Sequence, residues 1–254
     1  MLDEKPVTGI TAFLAEPGIA TGKPFRLVKN SGKLSKGTEV NGLGFLLSPE
    51  EAESLIGNNR RNRDVILPFL NGDDFNSRPD QSASRYVINF FDWPLNQSSC
   101  PEGYCGPVAS DYPDCLSIVE ERVRPERAKN NAKSVKEYWW RFKRPTADLY
   151  KSIKTLQRII ACHIVTKYAS FSFVPTGMVY NHKLCVFYSD KASMLAILSS
   201  NLYEPWVREY CSTLETRLNF SPEDCFENYP LPQEFHQIDC LARFTFGLLA
   251  RIIP

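Results

Sequence analysis

The sequence predicts an α+β protein, and three observations carry the prediction. Between residues 1 and 47, Gly9, Gly18, Gly22, Gly32, Gly37, Gly42 and Gly44 punctuate short apolar runs such as Phe25 to Val28 and Phe45 to Leu47, the pattern of short strands and turns. From about Leu116 onward, apolar residues recur at helical spacing among many lysines and arginines. Phe171 to Tyr188 then returns to aromatic and β-branched residues, interrupted by Pro175-Thr176-Gly177 and Asn181-His182. The expected architecture is a mixed, β-rich N-terminal globule, a basic helical middle, a small returning β section and C-terminal helices. Residues 1–232 form one expected domain and 233–254 a closing helix.

The elements follow in order. Ser48-Pro49-Glu50-Glu51 opens the first helix: Ser48 can cap it, Pro49 suits the first helical position, and Glu51 completes a capping box. Ala52, Leu55 and Ile56 give that helix its apolar stripe, and Gly57-Asn58-Asn59 ends it before the basic knot Arg60-Arg61-Asn62-Arg63. Ile66 to Leu70 and Tyr86 to Phe91 read as strands on either side of Asn71-Gly72 and a polar stretch. Leu95 to Asp114, rich in Ser, Pro, Gly and Cys, reads as a long surface loop. Leu116, Val119 and Val123 predict one helix, or two broken at Pro125, over about 116–142. Arg144-Pro145 opens another, with a stripe through Leu149, Ile153, Leu156, Ile159, Ile160, His163 and Ile164. Two or three strands with tight turns fill 171–188. Asp190 then caps a helix carrying Met194, Leu198, Trp206 and Val207, with a kink expected at Pro205. Ser221 to Asp224 opens a short helical turn, Pro230-Leu231-Pro232 breaks the chain, and Gln233 to Ile253 makes the final helix.

Bulk properties set the class. A chain of 254 residues with 43% apolar content can bury a large core, and 30 basic against 29 acidic residues leave a net charge of only +1. No apolar run approaches the roughly 18 residues of a membrane span, and MLDEKPVTG is unlike a signal peptide, so the expected location is the cytoplasm. Cys162, Cys185, Cys211, Cys225 and Cys240 lie singly among apolar neighbours, which predicts reduced, buried thiols rather than a disulfide framework.

Charge becomes informative locally. From Arg122 to Arg158 there are twelve bases against Glu126, Glu137 and Asp148, or 12 − 3 = +9. Clustered cations beside Tyr138, Trp139, Trp140 and Phe142 suit a surface following a phosphate backbone, because neutralising phosphates releases counterions. The candidate phosphate contacts are Arg122, Arg124, Arg127, Lys129, Lys133, Lys136, Arg141, Lys143 and Arg144. The competing reading is a solvated helix face with the tryptophans in the core. The stretch Val65 to Pro94 is either a solvated connection or a presenting loop between strands, and it holds the amides, arginines and acids that read base edges. Its candidates are Asn71, Asn76, Arg78, Gln81 and Arg85, joined by His182 in the Asn181-His182-Lys183 turn. Asp73 and Asp74 are expected instead to bond the loop's own backbone.

Catalytic motifs do not hold up. Val40-Asn41-Gly42-Leu43-Gly44-Phe45 lacks the strand and acidic ribose partner of a dinucleotide loop. Asn89-Phe90-Phe91-Asp92-Trp93 lacks the two prolines of an amino-methyltransferase motif, and Pro79-Asp80 has no following acid-x-Lys of a metal nuclease. Cys100, Cys105 and Cys115 have zinc-like spacing but no nearby fourth Cys or His, so no metal is expected. His163 reads as a core histidine. The chain is not expected to catalyse anything alone.

Four ordered motifs carry a family resemblance: PFLNGDDFNSRPDQSASRYVINFFDWP, DYPDCLSIVEERVRPER, WWRFKRP and SPEDCFENYPLP. Together they resemble the C-terminal target-recognition region of type IIG restriction-modification enzymes, relatives of TaqI-like adenine methyltransferases. The resemblance spans roughly Pro6 to Pro232. It implies sequence-specific binding of double-stranded DNA within a system that methylates adenine N6 from S-adenosylmethionine and also cleaves. That chemistry and cofactor would belong to a methyltransferase and nuclease part not found in these residues, and the final helix is short relative to the family's tail. The alternative expectation is an interaction subunit, or a nonfunctional remnant, that docks on a separately encoded methyltransferase.

Overall fold

A computed structural model describes residues 24–232 of the chain. Its strands are β1 (Leu34–Lys36), β2 (Leu46–Leu47), β3 (Ile66–Leu70), β4 (Arg85–Ile88), β5 (Arg158–His163), β6 (Val165–Thr166), β7 (Phe171–Pro175), β8 (Val179–Tyr180), β9 (Leu184–Phe187), β10 (Ser212–Leu214) and β11 (Arg217–Asn219). The α-helices are α1 (Pro49–Asn58), α2 (Gly72–Ser77), α3 (Pro113–Arg122), α4 (Arg124–Ala128), α5 (Lys133–Glu137), α6 (Ala147–Ile153), α7 (Ala192–Leu198) and α8 (Tyr203–Tyr210). This is the expected α+β class, with three small sheets ordered β1-β9-β5-β7, β10-β11-β6 and β2-β4-β3-β8.

Local chemistry explains the elements that match expectation. The Ser48 hydroxyl accepts from the Glu51 N–H and the Glu51 carboxylate accepts from the Ser48 N–H, a complete capping box on α1. β3 and β4 pair antiparallel with Leu67 opposite Val87, so the apolar runs flanking the polar stretch are strands. β7, β8 and β9 fill the returning β section. Ser221 caps the short helical turn at Pro222–Phe226 by accepting from the Asp224 N–H.

Other elements differ, each for a physical reason. The stripe after Arg144 does not stay helical: α6 stops at Ile153, and Arg158–His163 is the central strand β5, paired with β7 on one side and β9 on the other. A strand covered on both faces is apolar without alternation, and periodicity alone cannot tell such a run from a buried helix. Phe25 to Val28 is no strand; a 3-10 turn begins at Val28. Asn71-Gly72 starts α2 rather than turning a hairpin. Asp190 does not cap α7, whose N-cap is Lys191. No kink forms at Pro205, because the chain leaves helix after Leu198 and Pro205 falls in the first turn of α8, where a missing N–H costs nothing. The expected final helix over 233–254, and Cys240 within it, lie outside the described residues.

One core cluster packs β2, β3 and β4 against α3, with Trp139, Trp140 and Phe142 buried in it. A second packs β5 and β9 against α7, α8 and the segment Phe220 to Leu231. Leu70, Phe75, Leu149, Ile153 and Tyr180 form a third. β3 and β8 join in parallel, Phe69 opposite Val179 and Leu70 opposite Tyr180, which ties the N-terminal sheet to the returning β section. Cys162 and Cys185 face each other on β5 and β9 as buried free thiols. Among the described residues no helix is long and apolar enough to cross a membrane.

Candidate nucleic-acid interface

Two glycines allow the cleft of interest to form. After β1 the chain runs so close to the β8–β9 turn that a Cβ on Gly37 would lie 2.3 Å from the Asn181 carbonyl oxygen. That contact lets the Gly37 N–H bond Leu184 O at 2.9 Å, the Thr38 N–H bond Tyr180 O at 2.7 Å and the His182 N–H bond Thr38 O at 2.9 Å. The Asn181 side chain accepts from the Lys183 N–H at 2.9 Å, so the turn holds His182 and Lys183 in fixed positions. On the opposite wall, a Cβ on Gly72 would stand 2.2 Å from His163 Nε2, so only glycine lets α2 seat against the imidazole. The His163 Nδ1 donates to the Val165 carbonyl at 2.6 Å.

The resulting cleft has a volume of about 700 Å³. Lys36, Arg144, Lys183 and Arg217 bring four cations to it from four separate segments, against the carboxylates of Glu39 and Asp73. Glu39 is already paired with Lys143, whose Nζ donates to its Oε1 at 2.6 Å; that hydrogen bond holds the Glu39 carboxyl below its usual range. Asn76 from α2, His163 and His182 complete the polar lining, and Leu214 of the β10–β11 hairpin, 50% exposed, adds an apolar contact. Burial lowers the basicity of both imidazoles. Arg217 keeps an exposed pair with Glu215 at 2.8 Å across the hairpin turn.

Of the base-reading candidates, only Asn76 and His182 reach this cleft. Asn71 has a structural role: its Oδ1 accepts from the Asp73 and Asp74 N–H groups at 2.8 and 2.9 Å, and its Nδ2 donates to Asp74 at 2.9 Å, so it caps α2. Asp74 is the structural acid expected of it, bonding Ser84 through both backbone and hydroxyl. Asp73, by contrast, is exposed in the cleft. Arg78 bonds Ser82 and pairs loosely with Asp74, and the Gln81 amide reaches only the Arg78 carbonyl at 3.5 Å. Arg85 is exposed on β4.

Of the phosphate candidates, Arg144 lines the cleft, while Lys129, Lys133 and Lys136 stand exposed on or beside α4 and α5. Arg127 is corrected. It is 2% exposed, its Nη2 donates to Val40 O and Asn41 O at 2.9 and 2.8 Å, and its Nη1 donates to Trp139 O at 3.2 Å and to Arg141 O. It also lies over the Phe45 ring at 4.9 Å, so it is a clamp inside the fold. Arg141 is half committed in the same way, donating to Trp93 O at 2.9 Å beneath the rings of Tyr138 and Trp140. Arg122 and Arg124 pair with Glu51 and Glu120 at the surface. Trp139 and Trp140 are core residues, as the competing reading had it.

Sequence reasoning missed Lys36, Lys183 and Arg217, and it assigned His163 only to the core. A signal existed for Arg217: Ser212-Thr213-Leu214 and Arg217-Leu218-Asn219 flank Glu215-Thr216 as a short hairpin. Cys115 is buried within the core, and burial raises its thiol to about 12, whereas Cys100 and Cys105 lie on the surface loop. Among the described residues no group of three or more His, Cys, Asp or Glu side chains is placed to hold a metal ion.

A family model for the target recognition domain of MmeI matches residues 107–233, half of the chain. Among solved structures, the type IIL restriction-modification enzyme MmeI in complex with DNA superposes with a TM-score of 0.66 at 16% identity, covering 93% of this chain and 30% of that one. No curated protein matches. At that identity the superposition speaks for a shared fold, and the chain spans about 30% of the length of the solved enzyme.

Proposed function

Since the chain belongs to the family of MmeI target recognition domains, we propose that it binds double-stranded DNA and selects a base sequence through the cleft between α2, the β8–β9 turn and the β10–β11 hairpin. The observation that carries this reading is the convergence there of four cations with an amide and two imidazoles from segments far apart in the chain. Cations that neutralise phosphates supply affinity, while side chains at base edges supply sequence choice. Lys36, Arg144 and Lys183 take the first role. Arg217 suits guanine, Asn76 suits adenine, and Leu214 suits a thymine methyl. Exposed Lys129, Lys133 and Lys136 extend the phosphate-binding area.

The same proposal places the chain in a restriction-modification system of the type IIG kind that methylates adenine N6. S-adenosylmethionine binding and cleavage are assigned to a methyltransferase and nuclease part outside these residues, in the same or a separate chain.

Duplex binding measured over a salt series tests the reading. Arg144→Ala with Lys183→Ala should flatten the slope of log affinity against log salt by roughly 0.9 per lost phosphate contact and leave sequence preference intact. Arg217→Ala or Asn76→Ala should relax choice at one base pair by about 1–3 kcal/mol. Salt-independent binding, or a uniform loss from all four substitutions, refutes the assignment of roles.

A further inference from the structure

A second pocket, of about 440 Å³, opens between the turn that follows β4 and helix α6. Its walls include the rings of Phe91, Trp93 and Tyr150, and its rim carries Asp92, Lys151 and Lys154. We propose that this pocket binds a single unstacked nucleotide, its base against the three aromatic rings and its phosphate at Lys151 and Lys154. The proposal is independent of the duplex-reading cleft, none of whose lining residues this pocket shares.

The rings are held in place before any ligand arrives. Phe91 and Trp93 pack with centroids 5.0 Å apart, and Trp93 stacks on Tyr112 at 5.7 Å. Tyr150 stacks on Tyr180 with an interplanar angle of 11°, and its hydroxyl is fixed by Thr38 Oγ1 at 2.7 Å. Phe91 in the pocket wall holds left-handed backbone at φ 52°, which costs a side-chain-bearing residue free energy, and so does Thr146 at φ 49°, which lies behind the wall between the lining residues Pro145 and Ala147. The buried Asn89 side chain enforces the first by accepting the Phe91 N–H at 2.8 Å. Left-handed residues that the surrounding structure over-determines cluster at ligand sites.

The polar groups complement a nucleotide. Lys154 makes no ion pair among the described residues, and Lys151 has only a loose, exposed contact with Asp148 at 3.9 Å. Asp92 is exposed and makes no side-chain hydrogen bond among the described residues. A carboxylate on the turn and two ammonium groups on α6 suit a ligand with a donor edge and an anionic tail. The exocyclic amine of adenine, cytosine or guanine supplies the first, and a phosphate supplies the second. Stacking on aromatic faces is tolerant of base identity, so the carboxylate sets the preference, against thymine because its one imide N–H is flanked by two carbonyl oxygens that the carboxylate repels.

Titrating the full chain with adenosine 5′-monophosphate, followed by amide and indole NMR shifts, tests the proposal. Saturable shifts at Phe91, Trp93 and α6 are expected, with adenosine and thymidine 5′-monophosphate binding more weakly. Lys151→Ala with Lys154→Ala should weaken the adenine nucleotide by about tenfold, the 1.4 kcal/mol within reach of one charge-assisted hydrogen bond, and leave adenosine unchanged. Phe91→Gly, in which glycine accepts φ 52° and the ring is lost, should weaken both ligands while the remaining spectrum is preserved. Displacement of the mononucleotide by a duplex carrying one bulged adenosine, but not by a fully paired duplex, identifies DNA as the source; no displacement by either identifies a free nucleotide. Absence of saturable shifts, or binding that ignores all three substitutions, overturns the proposal whether or not the chain binds duplex DNA.

Discussion

Arg127→Ala separates a clamp from a phosphate contact. The guanidinium is buried and donates to the carbonyls of Val40, Asn41, Trp139 and Arg141. Burial opposes its charge and brings it to about 10, so it remains protonated at neutral pH. Truncation leaves several carbonyls without a donor, each costing about 1–3 kcal/mol when fully buried. Relaxation and water entry recover part of that sum, so the expected loss is about 3–5 kcal/mol, the range for breaking a buried charged arrangement. Against a total stability of roughly 5–15 kcal/mol, this brings the protein near the edge of folding. Urea denaturation reads the effect as a lowered midpoint at unchanged slope. Arg127→Lys does not rescue, because one ammonium with three donors cannot span carbonyls from both segments. If Arg127→Ala stays within about 1 kcal/mol of the parent and instead flattens the salt dependence of DNA binding by one contact, the clamp is refuted.

Three further outcomes are expected. Asn71→Ala removes the cap of α2 and should cost about 1–2 kcal/mol in denaturant titrations while leaving sequence preference unchanged; a change of preference at one base pair would restore Asn71 as a reader. Gly72→Ala drives a methyl into the His163 ring and should cost about 1–3 kcal/mol by thermal melting, with a smaller loss expected only if α2 shifts freely. His163 and His182 are both lowered by burial, so the unfolded chain binds more protons than the folded one just below pH 6.5. Stability is therefore full above that pH and falls as pH drops through the window between 6.5 and the lowered folded values; His163→Gln with His182→Gln should flatten that part of the stability profile.

The residues that sequence reasoning handled well are those whose partners lie within a few positions. Ser48 and Glu51 announce a helix start by themselves, and the runs around Phe69 and Val87 pair across a short polar connection. Misassignments arise where the deciding partner is distant. Ile159 and Ile160 fit a helical stripe until Phe173, Val174 and Phe187 are brought alongside them. Arg127 belongs to a run of bases in the sequence, but in the fold it bonds carbonyls that lie 86 and 87 residues away along the chain. The cleft shows the same limit, because no local pattern relates Lys36 to Arg217. The family resemblance supplied the recognition assignment, which composition left balanced against a solvated surface.

The two-residue parallel junction of β3 with β8 bears on what can be transplanted. The family match begins at residue 107, yet β8 and β9, inside it, take their partners β3 and β1 from before it. A fragment cut at the match boundary would leave β8 without Phe69 and Leu70 and β9 with an open edge. Unpaired apolar edges are templates for aggregation. Closing those pairings also spans more than a hundred residues of chain, a loop-closure cost of the kind that slows folding. The exchangeable unit is thus defined by strand partnership: a graft that keeps residues 34 to 231 together preserves every pairing named above, whereas one that follows the boundary of sequence similarity severs two of the three sheets.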